Sequence, residues 1–188
     1  MPRYFFPKPY ADLVARMRVP SGFLLVVAFG WFAMPTAESL LYGIPVSLVG
    51  LALRAWAAGH LEKNQKLVAS GPYRFHRNPL YAGTLLTALG LALAAGRWEL
   101  AVLFAAVFVF VYVPVMELEE QHLRGLFPDY AAYADRVPLL IPRWPGLDPG
   151  LDRDTPVRGW LYRKNQEYHA LLGYLLGLGY LAWKATLA

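Results

Sequence analysis

Five long apolar runs constrain the fold of this chain more than any other feature of its sequence. A helix needs roughly 20 mostly apolar residues to cross the hydrocarbon core of a membrane. The runs occupy residues 21–37, 39–58, 79–96, 98–116 and 168–188, and the third is slightly short but uncharged. Only 16% of the 188 residues are charged, against roughly a quarter in soluble domains. The sequence therefore predicts an all-α integral membrane protein with about five transmembrane helices.

The basic residues predict how these helices are oriented. Of the 18 Lys and Arg residues, all but Arg97 and Lys184 lie in the N-terminal segment or in the two long loops. Segments rich in Lys and Arg stay on the cytoplasmic side of a membrane. We therefore expect a multi-pass protein with its N-terminus and both long loops in the cytoplasm and its C-terminus outside. Residues 33–39 offer no small-x-small cleavage site, so the first run is interpreted as a retained span and not as a signal peptide.

Changes in composition divide the chain into five parts. These are an interfacial N-terminal segment (1–20), two transmembrane helices (21–58), a core with two more helices and polar loops (59–142), a Pro-rich cytoplasmic loop (143–167) and a fifth transmembrane helix (168–188). In the fifth helix, Gly173 and Gly177 form a GxxxG pair, which either permits close approach in a homodimer or reflects the general abundance of glycine in spans.

A polar segment, SGPYRFHRNPLYAG at residues 70–83, lies directly before the third apolar run. Gly71-Pro72 and Asn78-Pro79 both disfavour helix, because the residue before a proline avoids the α region. Irregular backbone near membrane depth persists only where protein or a wet cavity satisfies its polar groups. The segment is therefore expected to line a cavity, where turn amides together with Arg74 and Arg77 suit an anionic or very polar ligand.

An acidic segment, ELEEQ at residues 117–121, follows the fourth run. Acids beside a span are functional candidates by default, although pairing of Glu120 with Arg124 one turn later is an equal alternative. Pro114 should kink the helix and could open a pocket at that level. If the basic and acidic segments face each other, they suit a zwitterionic ligand, since acids hold an ammonium and arginine with turn amides holds a carboxylate or phosphate.

These two segments resemble a known family of membrane enzymes. LVASGPYRFHRNPLYAG, an apolar span, ELEEQHLRGLFPDYAAY and RVPLLIP are similar to the isoprenylcysteine carboxyl methyltransferase and phospholipid methyltransferase family, over about residues 50–142. The resemblance implies S-adenosylmethionine as the methyl donor, bound at the cytoplasmic face. It also implies a lipid or lipidated acceptor, either an isoprenylcysteine-type carboxylate or a phospholipid amine.

The resemblance further implies which residues bind the donor. Leu67 and Val68 would flank the adenine, and Glu119 with Glu120 would hold the α-ammonium or order the loops around it. Many family members have His where this chain has Lys66 and Asn78, which puts any role that needs imidazole titration in doubt. The full set of expected cofactor-binding residues is Lys66, Leu67, Val68, Gly71, Tyr73, Arg77, Asn78, Pro79, Tyr81, Glu119 and Glu120.

Methyl transfer from a sulfonium needs alignment more than acid–base help. A carboxylate acceptor would need only a cation such as Arg74 or Arg77 to position it, whereas an amine acceptor must first lose a proton. We therefore assign Arg74, Arg77 and Glu119 to catalysis and leave the acceptor open. Candidate bases for an amine are His60, His76, His122, Glu117 and Glu119. Arg54 either snorkels to the interface or projects into the cavity toward an anion.

Two other functions remain open. A membrane reductase of the sterol reductase type would use NADPH, although adjacent Glu119 and Glu120 disfavour a phosphate-rich dinucleotide. A non-enzymatic protein could bind anionic membrane lipids through its basic loops. With no cysteine and scattered histidines, no metal site is expected. The basic residues form no single patch, so nucleic acid is not an expected partner.

Overall fold

The structure, a computed structural model, describes residues 4–142 and 156–187. Within these ranges all regular structure is helical, which confirms the predicted fold class. The helices are α1 (Lys8–Phe32), α2 (Ala37–Ala58), α3 (Pro79–Ala94), α4 (Trp98–Val107), α5 (Val113–Leu126), α6 (Tyr130–Arg136), α7 (Gly159–Lys164) and α8 (Tyr168–Ala185). A 3₁₀ turn forms at Gly71–Arg74, and a π-helical turn at Phe108–Tyr112 joins α4 to α5.

In the described parts of the chain, three helical segments are long and apolar enough to cross a membrane: α1, α2 and the continuous helix Trp98–Leu126. The apolar helix α3 is shorter, so the count of five spans stays a prediction. α8 runs antiparallel to α2. Glu167, just before α8, pairs with Arg54 near the end of α2, and Lys184 near the other end of α8 donates to the Gly30 carbonyl at the end of α1.

Several element boundaries differ from those that composition predicts. α1 starts at Lys8 and continues through Pro20, so the predicted boundary at residue 20 does not coincide with a helix end. A single proline removes one backbone donor and leaves the rest of the ladder available. Residues 143–155 of the predicted Pro-rich loop lie outside the described residues, and the remainder of that segment contains α7.

α2 and α3 pack with their backbones in direct contact. The pairs Gly43 with Gly90 and Gly50 with Gly83 face each other, and a Cβ atom added at any of these four positions would lie within 2.7 Å of an atom of the other helix. The hydroxyl of Ser47, between the glycines of α2, donates to the carbonyls of Gly43 and Thr87 at 3.0 and 3.3 Å. This close pair fixes the start of α3, where the polar segment of residues 70–83 enters the membrane-spanning region.

The π-helical turn at Phe108–Tyr112 lies directly before Pro114. Proline has no N–H, so the carbonyl of Phe110, its i−4 partner in an α-helix, loses its usual donor. The hydroxyl of Tyr10 on α1 donates to this carbonyl at 2.7 Å. The predicted effect of Pro114 on the helix thus takes the form of a π turn, and α1 supplies the missing hydrogen bond.

Replacing Tyr10 with phenylalanine is expected to lower the free energy of unfolding by about 1–2 kcal/mol, because the carbonyl of Phe110 then loses the hydrogen bond that Tyr10 donates. Thermal or denaturant unfolding of the purified protein in detergent measures the change. Tyr42→Phe, at an exposed position on α2, is the matched control and should behave like the wild type. Equal stability of the Tyr10 and Tyr42 variants would show that Tyr10 does not support the turn.

Candidate functional site

A cavity of about 430 Å³ lies where the polar segment of residues 70–83 meets the end of α5. Its walls come from the chain between α2 and α3, from the first turn of α3, from one face of α5, and from α6. The N-terminal half of α1 contributes Ala15. Residues that are distant in sequence therefore line one cavity, which is the arrangement expected if the basic and acidic segments face each other.

Most of the residues expected to bind the cofactor line this cavity, and a few do not. The lining includes Lys66, Leu67, Val68, Tyr73, Arg77, Asn78, Pro79, Tyr81 and Glu119. Gly71 and Glu120 are not among the lining residues, and neither is Arg74, which the sequence assigned to catalysis. Gly71 instead shapes the turn, since its φ of +56° suits glycine and its Cα faces the ring of His60. The guanidinium of Arg74 lies 4.7 Å from the ring centroid of Phe75.

Glu119 and Glu120 point in different directions, as neighbours on a helix do. The carboxylate of Glu119 lines the cavity and accepts a hydrogen bond of 2.9 Å from the hydroxyl of Tyr81. Glu120 is buried and forms ion pairs with Arg77 at 3.2 Å and with Arg124 at 2.8 Å. The alternative pairing of Glu120 with Arg124 is therefore present, and Glu120 also holds the arginine of the motif.

Arg77 lies between the acidic helix and the loop that follows α6. Its Nη1 donates to the carbonyl of Ala134 at 2.9 Å, and its backbone N–H donates to the carbonyl of Pro138 at 2.9 Å. Its buried Nε has no hydrogen-bond partner among the described residues. Because Arg77 also lines the cavity, it combines a fixed position with an unused donor.

The start of α3 adds a second feature that favours negative charge. Asn78, Pro79, Leu80 and Tyr81 line the cavity at the N-terminus of this helix. Unpaired N–H groups and the positive end of the helix dipole attract anions there. The amide of Asn78 donates to the carbonyl of Leu139 at 3.1 Å, so its side chain is held in place.

Buried tyrosines form one wall of the cavity. The hydroxyl of Tyr133 donates to the carbonyl of Tyr73 at 2.6 Å, and both rings are buried. Burial raises the pKa of Tyr73 and of Tyr133 above the ordinary value, and burial raises the pKa of Tyr130 to about 12. These phenols stay neutral at physiological pH, so they shape the cavity and do not serve as bases.

The candidate bases separate by position. Only Glu119 and His122 line the cavity. Glu117 is buried and accepts hydrogen bonds from the backbone N–H groups of Phe5 and Phe6 at 2.7 and 3.0 Å, so it ties the N-terminal segment to α5. His76 is buried, and burial lowers its pKa. The Nδ1 atom of His60 lies 2.9 Å from the carbonyl of Trp56.

Sequence reasoning missed some of the lining residues. Glu62, Lys63 and Asn64 lie at the cavity beside the expected Lys66, and Phe127 lies beside the expected acidic helix. Their closeness in sequence to Lys66 and to ELEEQ was an available signal. No sequence signal pointed to Ala15, because its position at the cavity depends on the packing of α1 against α5. Within the described residues, no group of three or more His, Cys, Asp or Glu side chains is arranged to hold a metal ion.

Comparison with known proteins places these features in context. The family profile described as phospholipid methyltransferase matches residues 19–130, which is more than half of the chain. No solved structure matches the chain.

Two curated relatives differ in what their names state. The cobalt-zinc-cadmium resistance protein of Cupriavidus metallidurans is 37% identical over 103 residues, covering 54% of this chain and 46% of that protein. The protein-S-isoprenylcysteine O-methyltransferase of Schizosaccharomyces pombe is 27% identical over 144 residues, covering 73% of this chain and 61% of that enzyme. This chain spans about half the length of the curated relatives that it matches.

Proposed function

This chain belongs to the phospholipid methyltransferase family, and from that premise we propose that it transfers a methyl group from S-adenosylmethionine to a lipid or lipidated acceptor at the cytoplasmic membrane face. Membership supports a membrane methyltransferase. We propose the identity of the donor, the class of acceptor and the side of the membrane. The charge distribution around the cavity supports this proposal.

The residues at the cavity fit a zwitterionic donor. Glu119 would hold the ammonium, while the N-terminus of α3 with Arg77 would hold the carboxylate. Leu67 and Val68 offer apolar contact for the adenine. The volume of about 430 Å³ lies within the range of roughly 300–1,000 Å³ that is usual for small-molecule sites.

When bound, S-adenosylmethionine supplies an electrophilic methyl group. The protein's task is then to align the acceptor and exclude water. Arg77 would orient an acceptor carboxylate, and Arg74 could act there only if its side chain moved, since it does not line the cavity. An amine acceptor would find Glu119 and His122 as the lining groups that can take its proton.

One observation carries the proposal most directly. Tyr81 of the polar segment hydrogen-bonds Glu119 of the acidic segment, and Arg77 pairs with Glu120, so both halves of the motif meet at one cavity. With Arg124, which also pairs with Glu120, the charges of Arg77, Glu119 and Glu120 sum to zero, so a ligand with both charges can be accommodated without leaving a net buried charge.

Equilibrium binding of radiolabelled S-adenosylmethionine to the purified protein in detergent tests the donor, with NADPH as the competing hypothesis. Methyl transfer is then assayed with isoprenylated cysteine, phosphatidylethanolamine and short amphiphilic carboxylates, and mass spectrometry identifies the methylated atom. We expect saturable binding of S-adenosylmethionine and transfer to at least one amphiphile. Binding of NADPH without binding of S-adenosylmethionine would overturn the proposal in favour of a reductase.

A further inference from the structure

Residues 4–7 form a strap that crosses α5 before the chain enters α1. The backbone N–H groups of Phe5 and Phe6 donate to the two carboxylate oxygens of Glu117 at 2.7 and 3.0 Å. Glu117 is only 7% exposed, whereas Phe5 is 84% exposed. The strap is therefore attached through its backbone to a buried carboxylate, and the ring of Phe5 contributes little to the attachment.

The strap also lies close to the ion pairs that fix Arg77. Burial chiefly raises the pKa of Tyr4; the charge of Glu120 adds to this effect and Arg124 opposes it, so the phenol lies near both side chains. Glu120 in turn pairs with Arg77, which lines the candidate donor cavity of about 430 Å³. Glu117, Glu120 and Arg124 are three and four residues apart and so share one face of α5. The strap therefore covers the face of α5 that holds Arg77 in place.

The strap leads directly into α1, whose N-terminal half reaches the same cavity. Ala15 lines the cavity. Arg18, one turn later, is close enough to Tyr81 for its charge to act on the hydroxyl, and this hydroxyl donates to Glu119. α1 thus supplies part of the wall and a cation on the side of the cavity that carries Glu119. Both Ala15 and Arg18 precede residue 19, where the match to the family profile begins.

Little apolar packing holds this half of α1 against the rest of the protein. Ala11 and Val14 are the buried residues of α1. Apolar burial stabilises in proportion to the area removed from water, and two small side chains remove little. The polar attachments of this half include the strap at Glu117 and the hydrogen bond from Tyr10 to the carbonyl of Phe110. Hydrogen bonds to an ionised carboxylate are roughly twice as strong as neutral ones, so Glu117 carries a large share of the attachment.

We propose that Glu117 is a positioning residue for donor binding, because through the strap it holds the N-terminal half of α1 as one wall of the candidate donor cavity. The proposal rests on the proposed function, in which that cavity takes S-adenosylmethionine. Glu117 does not line the cavity and acts through the backbone of Phe5 and Phe6. Apparent affinity falls with the fraction of molecules in the binding-competent arrangement. Loss of the two charge-assisted hydrogen bonds is expected to leave about a tenth or less of the molecules in that arrangement.

The first measurement follows the position of α1 in the full chain without any ligand. The chain has no cysteine, so spin labels on Leu13→Cys and Leu126→Cys, both at exposed positions, report the distance between α1 and the end of α5. Phe5→Pro removes one N–H donor of the strap and leaves Glu117 intact, whereas Phe5→Ala removes only the exposed ring. We expect a broader distance distribution in Phe5→Pro and in Glu117→Ala, and the wild-type distribution in Phe5→Ala. An unchanged distribution in Phe5→Pro and Glu117→Ala would overturn the proposal.

Equilibrium binding of radiolabelled S-adenosylmethionine to the same variants in detergent measures the consequence for the donor. We expect binding to weaken by about tenfold in Phe5→Pro and Glu117→Ala, and by less in Glu117→Gln, which keeps one oxygen acceptor for the strap. Phe5→Ala and Glu99→Ala, at an exposed acid near the start of α4, should bind like the wild type. Wild-type affinity in variants whose α1 has moved would contradict the positioning role.

Reciprocal coupling separates positioning from a merely structural role. If the position of α1 favours donor binding, bound donor must favour that position to the same degree. Saturating S-adenosylmethionine should therefore narrow the spin-label distribution of Phe5→Pro toward that of the wild type. A distribution that saturating donor leaves unchanged would show that α1 only stabilises the fold.

The two measurements also separate failure of this inference from failure of the proposed function. A wild-type protein that does not bind S-adenosylmethionine would remove the proposed function, while the spin-label distances would still decide whether Glu117 holds α1. Donor binding that is independent of the strap would keep the proposed function and remove the role of Glu117. If Glu117→Ala does not fold, Phe5→Pro carries the test, because it leaves every side chain of α5 unchanged.

Discussion

Replacing Glu120 with alanine is expected to lower the stability of the protein sharply, whereas the same change at Glu119 is expected to weaken donor binding with little effect on stability. The two carboxylates are adjacent in sequence but differ in environment. Glu120 is buried between Arg77 and Arg124. Glu119 is exposed at the cavity and receives one hydrogen bond, from Tyr81.

The expected magnitudes follow from what each substitution leaves behind. The side chain of Arg77 is only 11% exposed. Without Glu120, its guanidinium keeps one hydrogen bond to a carbonyl but loses its acidic partner. Leaving a buried charge uncompensated costs about 3 kcal/mol or more. Without Glu119, Tyr81 loses an exposed partner at a cost below about 1 kcal/mol. A bound ammonium, however, loses its charge-assisted contact, so donor affinity falls by about tenfold or more.

Thermal unfolding in detergent and equilibrium binding of S-adenosylmethionine, measured on both variants, separate these effects. Glu99→Ala is the control, because Glu99 is an exposed acid paired with Arg97 near the start of α4, and it should change neither quantity. A Glu119 variant with wild-type donor affinity would remove this residue from the site. A Glu120 variant with wild-type stability would show that the arginines find other partners at no cost.

The contrast between these glutamates also shows how much of the candidate site can be predicted from the sequence alone. Helical periodicity separates Glu119 from Glu120 by about 100°, so two roles are predictable, but which of them faces the cavity depends on where Arg77 lies. That position is set by hydrogen bonds to Ala134 and Pro138, which lie 57 and 61 residues later in the chain. The turns at Gly71-Pro72 and Asn78-Pro79 were predictable because proline acts on its immediate neighbours.

Contacts of longer range carried no comparable signal. The sequence makes Glu117 a candidate base, yet its carboxylate accepts hydrogen bonds from the backbone N–H groups of Phe5 and Phe6. Glu167 lies outside residues 19–130, which match the family profile, and it is 113 residues from its partner Arg54. Both acids are used where separate helices meet, and that meeting depends on the packing of whole helices. Local pattern therefore predicts the turns and the helices, and packing decides which acids bind and which hold the fold.

The packing of α2 against α3 leads to the other large expected effect, a loss of folded protein when Gly90 is replaced with leucine. A Cβ atom at Gly90 would lie 2.3 Å from the backbone nitrogen and hydroxyl of Ser47, and 2.7 Å from the carbonyl of Gly43. Two of these three atoms belong to backbone, which cannot rotate away as a side chain can. The helices would have to separate, and overpacking of even an ordinary core costs about 1–3 kcal/mol.

The expected cost at Gly90 exceeds that range because the contact is repeated. Gly50 meets Gly83 in the same way one heptad along each helix, so opening the pair at Gly90 also removes close contact at the second site and displaces the start of α3, where the cavity begins. We expect little monodisperse protein on size-exclusion chromatography in detergent, and loss of donor binding in what remains. Gly179→Leu in α8, where no described heavy atom lies within 4 Å, should give wild-type yield. If Gly90→Leu folds and binds donor as well as Gly179→Leu does, the close α2–α3 contact is not what holds the cavity in place.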